Sequence, residues 1–187
     1  TARFFVWDET KKETVYYDNP GILQLADFGD GSILGINPAG EIYAIGNDNG
    51  FNPAKLSQAS GNFNKIVWSA NNNNKYAYLA DADGYLLRVN RDGRSEKIGS
   101  TPLKPVTCMT ITNDGRVFGF CGTGIANLFV YEPQSNEISN LGVAVSTLNR
   151  RRYGYVFNSA VTGQDGEIYF GETDRGGHLW VYFPSIS

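Results

Sequence analysis

Five short apolar segments recur along the chain in one register, and this self-similarity restricts the fold more than any other feature. They are Phe4-Phe5-Val6-Trp7, Ile42-Tyr43-Ala44-Ile45, Leu86-Leu87-Arg88-Val89, Leu128-Phe129-Val130-Tyr131 and Leu179-Trp180-Val181-Tyr182. Their starting positions are 38, 44, 42 and 51 residues apart. A period of roughly 40–50 residues, with several short strands in each unit, points to radially repeated sheets rather than to a sandwich.

A second column runs beside the first. Asp30-Gly31, Asp114-Gly115 and Asp165-Gly166 each precede a strand-like run: Ser32-Ile33-Leu34, Arg116-Val117-Phe118 and Glu167-Ile168-Tyr169. Asp-Gly suits the positive φ angles of a tight hairpin, because glycine has no Cβ to clash there. Each pair is expected to join the first strand of a unit (A) to its second (B). In the second unit the run Asn71-Asn72-Asn73-Asn74 takes that place. The third unit then reads as A over 106–112, B over 116–121, C over 128–132 and D over 137–141. The fourth reads as A over 155–162, B over 167–171 and C over 178–183. Residues 54–59 are left as strand or loop, and no helix is expected.

Composition agrees. The 187 residues include 22 Gly, 18 Asn, 11 Phe, 11 Tyr and 3 Trp, and only 19% are charged. Aromatic and β-branched runs between Gly, Asn and Asp clusters belong to an all-β chain. The fold expected is an arc of a β-propeller with about four four-stranded antiparallel blades. Its units span about 1–19 (partial), 20–60, 61–104, 105–148 and 149–187. Residues 3–17 form a C–D hairpin without its A and B, and the last unit lacks D. Either the N-terminal strand completes the last blade, or the chain is an arc cut from a larger propeller. The start at Thr1 favours the arc, whose open blade edges invite self-association.

The run Asp165-Gly166-Glu167-Ile168-Tyr169-Phe170-Gly171, followed by His178-Leu179-Trp180-Val181-Tyr182-Phe183-Pro184, resembles the repeat of propellers of the broad kelch, NHL and YVTN type. The resemblance implies an architecture and no activity, since propellers host hydrolases, lyases, lectins and scaffolds.

Strand alternation puts B–C loops and D–A connections at one end of each blade. Two distant stretches therefore meet: Asn149-Arg150-Arg151-Arg152-Tyr153-Gly154-Tyr155 and Glu172-Thr173-Asp174-Arg175-Gly176-Gly177-His178. They hold the single His, four of the 16 basic residues, two carboxylates and two Tyr. Arg150, Arg151, Arg152 and Arg175 can grip a carboxylate or sulfate. Tyr153 and Tyr155 offer flat faces for a sugar ring. Glu172 and Asp174 can bind ligand or pair with His178. As a catalytic set, Arg would neutralise a uronate while His178 or Tyr153 removes the adjacent proton. This set is similar to that of polysaccharide lyases on propeller scaffolds in residue types only. The plainer readings are binding without catalysis, or a solvated turn in which His178 pairs with Glu172 or Asp174.

Other features exclude more than they suggest. A net charge of -3 with pI about 5.2 argues against nucleic acid. No apolar run reaches membrane-span length. One His and two Cys leave no zinc set, and no metal or other cofactor is implied. Asp81 and Asp83 are weak cation candidates, and Asp83-Gly84 is read as a hairpin turn. A two-residue turn at Asp114-Gly115 would set Cys108 opposite Cys121, so a bridge and two free thiols are both open. The second and fourth residues of the C segments (Phe5 and Trp7, Tyr43 and Ile45, Leu87 and Val89, Phe129 and Tyr131, Trp180 and Tyr182) are expected to pack blade against blade, on opposite faces.

The function expected is a non-catalytic propeller lobe of a larger protein. It binds a polysaccharide or a neighbouring domain through its loop face. A polysaccharide lyase or glycoside hydrolase lobe and a protein-interaction scaffold are the alternatives. Low charge with many Asn and Gly suits an extracellular or periplasmic setting.

Overall fold

The computed structural model describes residues 3–46, 50–71, 75–146, 152–173 and 176–185. Among these residues the chain is all β. An N-terminal hairpin pairs β1 (Arg3–Asp8) with β2 (Glu13–Asp18). The first full sheet is β3 (Gln24–Asp27), β4 (Ile33–Ile36), β5 (Glu41–Ile45) and β6 (Ala54–Gln58). The second is β7 (Val67–Ser69), β8 (Tyr76–Ala80), β9 (Tyr85–Asn90) and β10 (Ser95–Ser100). The third is β11 (Val106–Ile111), β12 (Val117–Cys121), β13 (Asn127–Glu132) and β14 (Glu137–Val143). A short ribbon, β15 (Val145–Ser146) with β16 (Arg152–Tyr153), leads to a three-stranded sheet of β17 (Phe157–Thr162), β18 (Ile168–Glu172) and β19 (Leu179–Tyr182). Every pairing is antiparallel between chain neighbours. The sheets do not close on one another: the hairpin and the three-stranded sheet stay separate. This series of antiparallel sheets is compatible with a propeller arc.

The sheets stack in chain order, because the second and third strands of each carry apolar residues on both faces. Leu34, Ile36 and Ile42 of the first sheet meet Trp68, Ala77, Leu79, Leu87 and Val89 of the second. The second sheet's other face sends Tyr78, Ala80 and Leu86 against Met109, Val117, Phe129 and Tyr131 of the third. The third sheet's other face sends Phe118, Phe120, Leu128 and Val130 against Phe157, Ile168 and Phe170. Leu86 and Leu87 thus serve different interfaces, as neighbours on a strand must. This corrects the expectation that the two residue sets of the C segments lie on opposite faces. Residues two apart share a face, so Phe129 and Tyr131 point together toward the second sheet.

The turns also differ from expectation. At Asp114-Gly115 the loop has three residues, not two: Ile111 faces Val117, Thr112 N–H donates to Arg116 C=O, and Gly115 N–H donates back to Thr112 C=O. Gly115 holds φ at 89°, the left-handed position of a three-residue hairpin. The same five-residue turn occurs at Asn37–Glu41, Asp81–Tyr85, Asn90–Arg94 and Gly163–Glu167. Its fourth residue is always Gly, with φ between 78° and 89°. At three of these turns an Asn or Asp in first position accepts backbone N–H groups through its Oδ1. Asp81 is one of them. Its carboxylate is buried and engaged by Asp83 and Tyr85 N–H, so it builds a turn and is not laid out as a cation site.

The extra turn residue shifts the Cys register, and a bulge after Val106 shifts it again. Cys108 faces Phe120, while Cys121 faces Val106. Both thiols are free and buried, which decides the open choice in favour of packing. Desolvation dominates at Cys108 and pushes its thiol up to about 11, from an ordinary value of 9.0. Ellman's reagent at pH 8 is therefore expected to leave the folded chain unlabelled and to take up two equivalents after unfolding. The sign of the pH effect follows. The raised thiol leaves stability intact below about pH 9 and removes it as pH rises toward 11.

Candidate functional site

The candidate site forms where β18 ends and β19 begins. Glu172 is the last residue of β18, and its N–H donates to His178 C=O, which closes the loop between the two strands. The ribbon β15–β16 delivers Arg152, because Gly154 N–H donates to Ala144 C=O and fixes the approach of the chain. Gly154 is required here: a Cβ would lie 2.5 Å from the Phe157 ring. Beneath lies an aromatic cluster. Phe120 and Phe157 stack at 3.9 Å, and Phe170 meets Phe120 edge-on at 4.8 Å.

Glu172 is the hub. Its side chain is 0% exposed, so its charge survives burial only through partners. One oxygen, Oε1, accepts the Tyr155 N–H at 2.6 Å. The other, Oε2, accepts Trp180 Nε1–H at 2.9 Å and Arg152 Nη2–H at 3.4 Å, with His178 Nδ1 also at 3.4 Å. Arg152 Nη1 lies 3.2 Å from His178 Nε2. A guanidinium only donates, so Nε2 accepts and the ring proton sits on Nδ1, facing the carboxylate. The imidazole lone pair is thereby occupied.

The backbone under this cluster is strained. Val156 has φ of 53°, an outlier for a β-branched residue. Three hydrogen bonds hold it: its N–H donates to Gly124 C=O, and its C=O accepts both Thr173 N–H and Thr173 Oγ1–H. The strain turns the chain so that Tyr155 N–H points into the site while its ring projects outward over Gly124. Tyr153 and Tyr155 are 43% and 48% exposed.

Of the residues singled out in the sequence, Arg152, Glu172 and His178 meet through their side chains and Tyr155 joins them through its backbone N–H, while Tyr153 follows Arg152 on β16 and is exposed. Arg150, Arg151, Asp174 and Arg175 lie outside the described residues. Sequence reasoning placed Trp180 among the blade-packing residues and missed its role at the carboxylate. An indole N–H on a ring packed against the core needs an acceptor, and that need was the available signal. Among the described residues no group of His, Cys, Asp and Glu is arranged to hold a metal ion. No helix among them is long and apolar enough to cross a membrane.

Glu172→Ala strands the Trp180 and Tyr155 donors and is expected to cost about 2–4 kcal/mol in urea unfolding. His178→Ala removes a partner that is 43% exposed and is expected to cost under about 1 kcal/mol.

No protein-family model matches the chain, and no curated protein matches it in sequence. Solved structures do match in fold. A protein of unknown function from Bacteroides thetaiotaomicron aligns with a TM-score of 0.66 at 13% identity, over 92% of this chain and 48% of its own. The extracellular domain of a protein described as a one component system, also from B. thetaiotaomicron, aligns with a TM-score of 0.70 at 11% identity, over 98% and 25%. The tricorn protease aligns with a TM-score of 0.57 at 14% identity, over 89% and 17%. The chain thus spans half or less of each of these structures. At such identities the likeness is one of fold.

Proposed function

We propose that the chain is a non-catalytic arc of a larger β-propeller, whose loop end around Tyr153 and Tyr155 binds carbohydrate. The observation that carries this reading is how the charged groups are used. Glu172, Arg152 and His178 satisfy one another around a buried carboxylate, while the rings of Tyr153 and Tyr155, on the same stretch of chain as Arg152, are exposed. A general base needs an available lone pair, and that of His178 is engaged by Arg152. A lyase or hydrolase lobe built on His178 and Tyr153 is therefore the weaker reading. Tyrosine rings with one apolar face and a hydroxyl edge suit stacking against a sugar ring. The arc itself is supported by sheets stacked in chain order without closure, and by solved structures of two to six times the matched length. An extracellular or periplasmic setting is proposed with it, supported by the likeness to an extracellular domain.

The test is glycan-array binding followed by calorimetry on the best hit. Tyr153→Ala with Tyr155→Ala is expected to weaken binding at least about tenfold, the loss that goes with one or two stacking contacts. His178→Ala is expected to leave it within about twofold. Appearance of unsaturated uronate ends that vanish in His178→Ala would replace this reading with the lyase one.

A further inference from the structure

We propose that the sugar site is a strip rather than a single stacking ring. It runs from Tyr155 across the loop 122–125 to Leu103, and it takes at least two adjoining units of a linear oligosaccharide. The inference rests on the carbohydrate reading above and specifies the class of ligand.

Three stretches of chain meet in this strip, and backbone hydrogen bonds hold them together. Gly122 N–H donates to Pro105 C=O at 2.8 Å, which ties the loop between β12 and β13 to the connection that follows β10. Val156 N–H donates to Gly124 C=O at 3.0 Å, which ties the same loop to the connection that precedes β17. The first connection is anchored in turn. Thr101 is buried, its N–H donates to Gly84 C=O at 2.8 Å, and its hydroxyl reaches Leu103 C=O at 2.7 Å. The strip therefore stands in place before a ligand arrives, which lowers the cost of binding.

Two apolar side chains lie against the loop, one at each of its glycines. A Cβ on Gly122 would lie 2.9 Å from Leu103 Cδ1, and one on Gly124 would lie 3.2 Å from Tyr155 Cε2. Gly122 and Gly124 stand two residues apart, at most about 7 Å along the chain, so the two contacts are neighbours on one path. Leu103, Ile125 and Tyr155 are 42%, 46% and 48% exposed. Leu103 and Ile125 belong to the connections of the second and third sheets, in the middle of the series.

What separates the two side chains selects the occupant. The N–H groups of Thr123, Gly124 and Ile125 have no acceptor among the described residues, and the Thr123 side chain is exposed. An apolar protein surface laid over the strip would bury these donors with nothing to accept them, which is costly. A chain of sugar rings brings an apolar face to each side chain and oxygens to the donors between. One ring stacked on Tyr155 leaves Leu103 uncovered, and the adjoining ring covers it. Apolar contacts with a few placed polar groups are the usual make-up of a small-molecule site.

The experiment measures binding of monomer, dimer and tetramer of three linear series to the full chain: β-1,4-glucose, β-1,4-mannose and α-1,4-galacturonate. Calorimetry serves the tighter ligands and saturation-transfer NMR the weaker ones. In at least one series the tetramer is expected to bind about tenfold or more tighter than the monomer, the gain that goes with covering one further apolar side chain. Leu103→Ser and Ile125→Ser are each expected to cut that ratio at least about threefold. Urea unfolding is run beside them. Leu103 packs on Gly122, so Ile125→Ser carries the test if the midpoint of Leu103→Ser shifts. Equal affinity for monomer and tetramer overturns the proposal and leaves the tyrosine site standing, as does a gain with length that survives both substitutions. Binding of none of the three series in folded protein overturns the proposal; if a glycan array is also blank, the carbohydrate reading falls with it.

Discussion

Each sheet in this chain is apolar on both faces, and that is the constraint from which the rest follows. A strand such as β9 cannot be satisfied by one neighbour: Leu87 and Val89 require the first sheet, while Leu86 requires the third. Only sheets stacked in series meet this demand for every strand. Burying a large aliphatic or aromatic side chain is worth about 1.5–3 kcal/mol, and the three interfaces bury ten, eight and seven such residues. The hydrogen bonds inside the sheets set register, and stacking supplies the drive.

The carboxylate at the loop end depends on that stacking. Glu172 closes β18 at the boundary where the Phe120–Phe157–Phe170 cluster gives way to loops. A charge is tolerated there because four donors converge on it from two separate stretches of chain, 152–155 and 178–180. The price of this arrangement is local, and appears as the left-handed φ of Val156. Among the described residues nearby, Tyr153 and Tyr155 stay open to solvent.

Much of the architecture was legible in the sequence because period-2 alternation and the recurrence of the C segments are local signals. Residues 106–121 were placed as two strands for that reason. Their register was not legible, because a single left-handed Gly115 changes a two-residue turn into a three-residue one and moves every partner by one. The meeting of residues 152–155 with 172–178 followed from strand direction alone. Which of those groups would be spent on one another did not, since it depends on Glu172 being fully buried and on the β15–β16 ribbon, for which the sequence carries no turn or alternation signal. Trp180 shows the same limit: one residue serves the core with its ring and the site with its nitrogen.

The five-residue turn with glycine in fourth place joins first to second, second to third and third to fourth strands alike. It is closed by its own backbone and therefore forms without reference to the sheet around it. Hairpins of this kind can zip early, with short loops and little entropy lost, before any two sheets meet. The buried clusters then join each sheet to its neighbours in chain order. A change inside one sheet is therefore felt first by the sheets stacked directly on it, and only through them by the rest of the array.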